Sequence, residues 1–166
     1  MNQLLKLLKE LLPYIIIIIV VIIIRTFIFT PVVVNGPSMM NTLHNGDVMI
    51  LDKIGMKLGG IKRFDIVVIQ TGKTKIIKRV IGMPGETISY HDNKLYINGK
   101  EVSDNHSNEI TYDFEEVKIP DGEYYVLGDN REVSCDSRLF GCIPVEKIEG
   151  KAVFRFWPLK KIGTLK

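Results

Sequence analysis

Ser38 stands in the run Gly36-Pro-Ser38-Met-Met-Asn-Thr-Leu43, and a serine hydroxyl can attack a carbonyl once a base takes its proton. By itself the run is equally a turn in which Ser38 caps a helix, because small residues, proline and serine are common in such places. A base must come from elsewhere in the chain. The three histidines are His44, His91 and His106, and none sits in a segment resembling a triad base with its orienting carboxylate. The Gly-x-Ser-x-Gly elbow is absent as well.

Lys78 has better surroundings. It belongs to Lys75-Ile-Ile-Lys78-Arg-Val-Ile-Gly-Met-Pro-Gly-Glu86, which opens as a strand. Ile76, Lys78 and Val80 then share one face, and Ile77, Arg79 and Ile81 the other, so β-branched side chains flank the ammonium. Burial disfavours the charged form, and bringing a lysine from about 10.4 to near 8 costs only on the order of 3 kcal/mol. A neutral amine can deprotonate Ser38. The bland alternative is a lysine that snorkels out of a half-buried strand. A third run, Gly128-Asp-Asn-Arg-Glu-Val-Ser134-Cys-Asp136-Ser-Arg138-Leu-Phe-Gly141, offers Ser134 to orient the amine and Asp136 with Arg138 as a fixing ion pair. Its Gly128 leaves room for a bulky side chain to approach. Read alone, this run is equally a polar loop with a surface ion pair.

Groups so far apart in sequence need a frame to bring them together. Beyond Pro31 the chain changes to short alternating runs punctuated by Gly, Pro and Asn-Gly, which predicts a mostly β domain. Strands are expected over residues 32–35, 47–52, 65–70, 75–81, 87–90, 94–97, 123–127 and 150–156. Asn98-Gly99 marks a hairpin. Residues 103–116 are polar and acidic and read as an exposed excursion. With 166 residues there is room for one such domain and a short appended segment. A net charge of +3 falls short of the clustered basic surface of a nucleic-acid binder. Cys135 and Cys142 fit neither a zinc site nor a disulfide scaffold, so no metal is expected.

The N-terminal part is of another kind. Residues 11–24 are almost continuously apolar, and extension past Arg25 through Phe27, Ile28 and Phe29 supplies a spanning length if Arg25 snorkels to the headgroups. Leu4, Leu5, Leu7, Leu8, Leu11 and Leu12 fall at helical spacing opposite Lys6 and Lys9, an amphipathic start for the inner interface. A cleaved secretory signal would end in small residues, whereas no small-x-small site precedes Gly36. Three segments are therefore expected: a cytoplasmic amphipathic segment over 1–10, a transmembrane anchor over 11–30 and an extracytoplasmic catalytic domain over 31–166. Lys6, Lys9 and the terminal amine against Arg25 place the N-terminus inside. At the other end, Phe156 and Trp157 with Lys160 and Lys161 suit a final core strand with a solvated tail, or contact with the outer leaflet.

In combination the three runs resemble bacterial type I signal peptidase, over nearly the whole chain and in the family's order. The most specific match is G-D-N-R-x-x-S-x-D-S-R-x-x-G, joined by the Ser38-Met39 and Lys78-Arg79 pairs. The resemblance implies an antiparallel β-rich catalytic domain behind one N-terminal transmembrane helix. It implies Ser38 as acylating nucleophile, Lys78 as general base, and support from Ser134, from Asp136 with Arg138, from Gly128, and from Arg79 with Asp129. Val32, Val34, Met39, Leu43, Ile76 and Ile77 fall where the family builds shallow pockets for small side chains. The implied substrates are signal peptides of exported preproteins, cut after small-x-small at the outer face of the bacterial cytoplasmic membrane. Membrane lipid and the protein-export machinery are the implied partners, with no cofactor and no nucleic acid. Two positions depart from the family. Gly36 stands where some members have a serine that helps bind the oxyanion, leaving main-chain donors such as the Ser38 N–H. Asn41 stands at a usual proline and suggests a less rigid turn. The rivals are a self-cleaving repressor with the same dyad, against which the apolar segment argues, and a membrane-anchored binding module without chemistry.

Overall fold

A computed structural model describes residues 2–23 and 29–165. Helix α1 covers Asn2–Ile23 with Pro13 inside it, and the apolar side chains of residues 11–22 are exposed. It carries Lys6, Lys9 and Glu10 in its first half, and among the described residues no helix is long and apolar enough to cross a membrane. The expected extension through Arg25, Phe27 and Ile28 lies outside the described residues. Phe29 and Thr30, expected at the end of the anchor, instead begin the first strand.

The strands are β1 (Phe29–Val33), β2 (Val48–Asp52), β3 (Ile66–Thr71), β4 (Thr74–Gly82), β5 (Thr87–His91), β6 (Lys94–Ile97), β7 (Lys100–Val102), β8 (Phe114–Lys118), β9 (Glu123–Leu127), β10 (Ile143–Pro144), β11 (Ile148–Trp157) and β12 (Gly163–Thr164). Two antiparallel sheets result. The larger runs β1-β2-β11-β3-β4-β9-β10 with β12 on β11, and the smaller runs β7-β6-β5-β8. Short helices α2 (Ile54–Gly59) and α3 (Ser137–Phe140) complete the described elements used below.

Turn chemistry sets the registers. Asn98 and Gly99 have φ of 50° and 73°, the pair of positive values that a type I′ turn requires, and they close the expected hairpin of β6 and β7. Three apolar clusters fill the interior. Val34, Met39, Leu43, Met49, Leu51 and Val68 form one, Val67, Ile69, Val80 and Val126 the second, and Ile81, Ile88, Tyr90 and Leu127 the third. β4 contributes to all three, because from Ile77 onward both of its faces are covered. Lys78 and Arg79 therefore sit on the part of β4 that is enclosed on both faces.

The excursion over 103–116 differs from its expected exposed character. Phe114 to Glu116 open β8, an edge strand of the smaller sheet, and Asp104 and Thr111 turn inward. Phe114 and Val117 stand three apart, out of step with strand alternation, and a register shift against β5 brings both to the apolar cluster.

Candidate active site

Lys78 lies on β4 with 3% exposure, directly opposite the fully buried Val67 of β3 and between Ile76 and Val80 on its own face. Its Nζ donates to Ser134 Oγ at 3.0 Å. Burial lowers the Lys78 pKa below that of an ordinary lysine. The Asp136 and Cys135 side chains work against this, and Arg138 adds to it. The amine thus loses its proton at a lower pH than a solvated lysine would.

Ser38, half-buried, occupies the turn after β1, where Met40 N–H donates to Pro37 O at 2.9 Å and Leu43 N–H to Met39 O at 2.8 Å. Gly36 enters this turn with φ of 101°, a conformation that disfavours any side chain, and its N–H donates to Asn45 Oδ1 at 3.2 Å. A serine at position 36 would be strained in this backbone, which gives the departure from the family a structural reason. Asn41 has φ of 99°, out of reach for proline, and its Nδ2 donates to Asp129 O at 3.4 Å. The turn is therefore tied down differently, not loosened.

Gly128, just past β9, joins the two halves. A Cβ there would run into Ser134 Oγ and the Ser38 carbonyl oxygen and come within 2.6 Å of Ser134 Cβ. Asn130 N–H also donates to Ser38 O at 3.1 Å. The backbone of Ser38 and the hydroxyl that holds Lys78 thus stand against one glycine. Gly128→Ala must push one of them away, and displacement on the scale of 1 Å costs about 10²-fold in rate. We expect a fall in kcat of about that size in single-turnover cleavage, with a loss of about 1–3 kcal/mol in denaturant unfolding.

Ion pairs hold the surrounding loops. Asp136 caps α3 and takes Arg138 Nε at 2.8 Å on Oδ1, with Arg138 Nη2 at 2.9 Å and the Gly128 N–H at 3.0 Å on Oδ2. Burial pushes the Asp136 carboxyl up, but the hydrogen bonds from Arg138 and Gly128 outweigh it and hold the group below its ordinary value. On the other face of β4, Arg79 grips Asp129 with Nε at 2.9 Å and Nη2 at 2.7 Å, both side chains fully buried. Arg79 also reaches Phe64 O at 2.8 Å and Thr42 Oγ1 at 3.1 Å, and Thr42 donates to Asp129 at 2.5 Å. The Ser38 turn is thereby fixed to β4 and to the run after β9.

A small cavity of about 50 Å³ opens at Ser38, lined by Val34, Gly36, Met39, Ile76 and Ile77 among others. Val32 and Leu43 do not line it. Leu43 is fully buried in the cluster beneath, and Val32 packs against that cluster.

Sequence reasoning assigned no role to Arg131, yet it is almost fully buried. Its Nε donates to Gly128 O at 2.9 Å, its Nη1 to Thr111 Oγ1 at 2.6 Å and to Tyr90 OH at 3.0 Å, and its Nη2 to Asp104 at 2.5 Å. The excursion and the smaller sheet are thus pinned to the Gly128 run. Arg155 of β11 likewise donates to Thr42 O at 2.9 Å and Asp47 Oδ2 at 3.0 Å. The sequence signals for Arg131 were its place in a dense polar run and in the G-D-N-R stretch of the family match, neither of which named its partners.

The family model described as "Signal peptidase, peptidase S26" matches residues 7–157. The chain belongs to this family. Signal peptidase I of Bacillus caldolyticus is 41% identical over 167 residues, covering 91% of this chain and 92% of the relative. Signal peptidase IB of Staphylococcus aureus is 40% identical over 178 residues, covering 92% and 93%. A solved signal peptidase I from Enterococcus faecalis V583 aligns with a TM-score of 0.50 at 38% identity, over 55% of this chain and 95% of that one. As a type I signal peptidase of family S26, the protein is a serine peptidase and a hydrolase. The repressor and binding-module readings fall away.

Proposed function

We propose that this peptidase removes signal peptides from exported preproteins by an acyl-enzyme mechanism on a Ser38 and Lys78 dyad. The observation that carries this is the enclosed Lys78 amine, lowered in pKa by burial and held by Ser134, beside the turn that bears Ser38. Lys78 takes the Ser38 proton as Oγ attacks the carbonyl, and the new ammonium then protonates the leaving amine. In the second half Lys78 activates water against the acyl ester. Ser134 is a positioning residue for Lys78. Asp136 with Arg138, and Arg79 with Asp129, position the loops.

The cavity at Ser38, about 50 Å³, is small, which supports small side chains before the cut. In this reading residues 1–10 lie at the inner interface and the anchor runs from residue 11 toward β1. The exposed apolar side chains of residues 11–22 support it, as do exposed Trp157, Leu159 and Ile162 with Lys160 and Lys161 as an outer-leaflet contact. The catalytic domain then faces outward at the cytoplasmic membrane, beside the export machinery that delivers its substrates.

The test uses purified full-length protein in detergent and a preprotein bearing a small-x-small site. The expected products, weighed by mass spectrometry, correspond to one cut directly after that site, and replacing either small residue by tryptophan blocks it. An intact preprotein, or a cut indifferent to the tryptophans, would remove the reading.

A further inference from the structure

A second cavity, of about 370 Å³, lies beyond Ser134 and has Ser134 and Arg138 in its lining. That volume falls in the range of about 300–1,000 Å³ typical of ligand clefts, room for several groups rather than one methyl. Its outer walls are Tyr112, 70% exposed, and Leu139, 75% exposed, with Asp113 and Glu132 beside them. None of these four side chains has a place in the dyad or its supporting ion pairs. Tyr112 comes from the excursion and Leu139 from α3, and Arg131 and Asp136 hold both segments at the site.

We infer that this groove is the subsite for the residues that follow the scissile bond, the first residues of the mature protein. The inference rests on the proposed dyad and follows from where the proton must go. When the tetrahedral intermediate collapses, the carbon–nitrogen bond breaks and its electron pair stays on nitrogen. The Lys78 ammonium gives that nitrogen its proton, so the leaving amine sits at Nζ. Nζ is held by Ser134 Oγ, and Ser134 forms part of the groove. The acyl side lies instead at the small cavity lined by Ser38, Val34, Ile76 and Ile77. A chain passing over the dyad from that cavity leaves past Ser134 and enters the groove between Tyr112 and Leu139. Tyr112, Phe114 and Leu139 offer an apolar side chain surfaces to pack on, among the polar Asp113, Arg131, Glu132 and Arg138 of the same lining.

Two substrates test this with the full-length protein in detergent. Both share every residue up to the cut and the first residue after it. One ends there as an amide, and the other continues for several residues with leucine in the early positions. Wild type should cleave the longer substrate with about tenfold higher kcat/KM, the order expected from burying one apolar side chain. The Tyr112→Ala/Leu139→Ala variant should cleave the short substrate as wild type does and lose most of the advantage of the long one. Both positions are exposed, so folding should be unaffected. Equal cleavage of both substrates by wild type, or an advantage retained in the variant, overturns the subsite while leaving the dyad standing. Failure of wild type to cleave either substrate overturns the dyad reading and the subsite with it.

Discussion

Lys78→Arg will be as inactive as Ser38→Ala, although it preserves the cation. An arginine keeps its proton to above about pH 12, so it cannot accept one from Ser38. General-base catalysis contributes about 10²–10⁴-fold, and loss of a base on which the nucleophile wholly depends should fall at or beyond the upper end. Lys78→Met supplies the control for folding. It replaces a buried amine by an apolar chain of similar length among Val67, Ile76 and Val80, and thermal unfolding should stay within about 1 kcal/mol of wild type. The pH dependence has a fixed sign. The unprotonated amine is the active form, so kcat/KM rises with pH through the Lys78 pKa, and burial brings that rise below the 10.5 of an ordinary lysine. Single-turnover cleavage across neutral to alkaline pH reads it directly. A flat profile with chemistry limiting, or an active Lys78→Arg, would sink the assignment.

The residues of the site were more legible than the contacts that hold them. Ser38, Lys78 and the Gly128 run stand out because their types are out of keeping with neighbouring structure: a lysine among β-branched residues, a glycine ahead of a dense polar run. Strand alternation put apolar neighbours around Lys78, and the Val67 partner across β3 adds what one strand could not disclose. Most strands followed from period and turn residues, which are local. What depended on distant pairing stayed hidden. Asp104 and Thr111 look like loop polarity until Arg131 is found between them, and Thr42 looks like any turn threonine until Arg79 and Asp129 close on it. The left-handed backbone at Asn41 was hidden too, because it is the environment and not the residue type that selects it. Leu43 and Val32, expected as pocket walls, lie in and against the apolar cluster beneath the small cavity at Ser38. Proximity in sequence to Ser38 does not decide which side of the turn faces the core.

The second large effect concerns the far face of β4, where Arg79→Met should strip the Ser38 turn of its fastening. The substitution removes both hydrogen bonds to Asp129, the one to Phe64 O and the one to Thr42, in a place with no exposure at either partner. Asp129 keeps the Thr42 hydroxyl but loses its counter-charge, and an uncompensated buried charge typically costs about 3–5 kcal/mol. For a domain of this size that corresponds to a fall in melting temperature on the order of 10 °C. Arg79→Met/Asp129→Leu separates stability from positioning. Replacing a buried ion pair by apolar groups is often neutral or better, so the double variant should regain most of the melting temperature. It should not regain activity, because the Thr42 hydroxyl then has neither of its side-chain partners to set the Ser38 turn against β4, and Asn41 keeps only the main-chain carbonyl of residue 129. Differential scanning calorimetry and single-turnover cleavage on the same samples would decide it. Recovery of both properties together would mean that the network stabilises the fold without positioning the nucleophile.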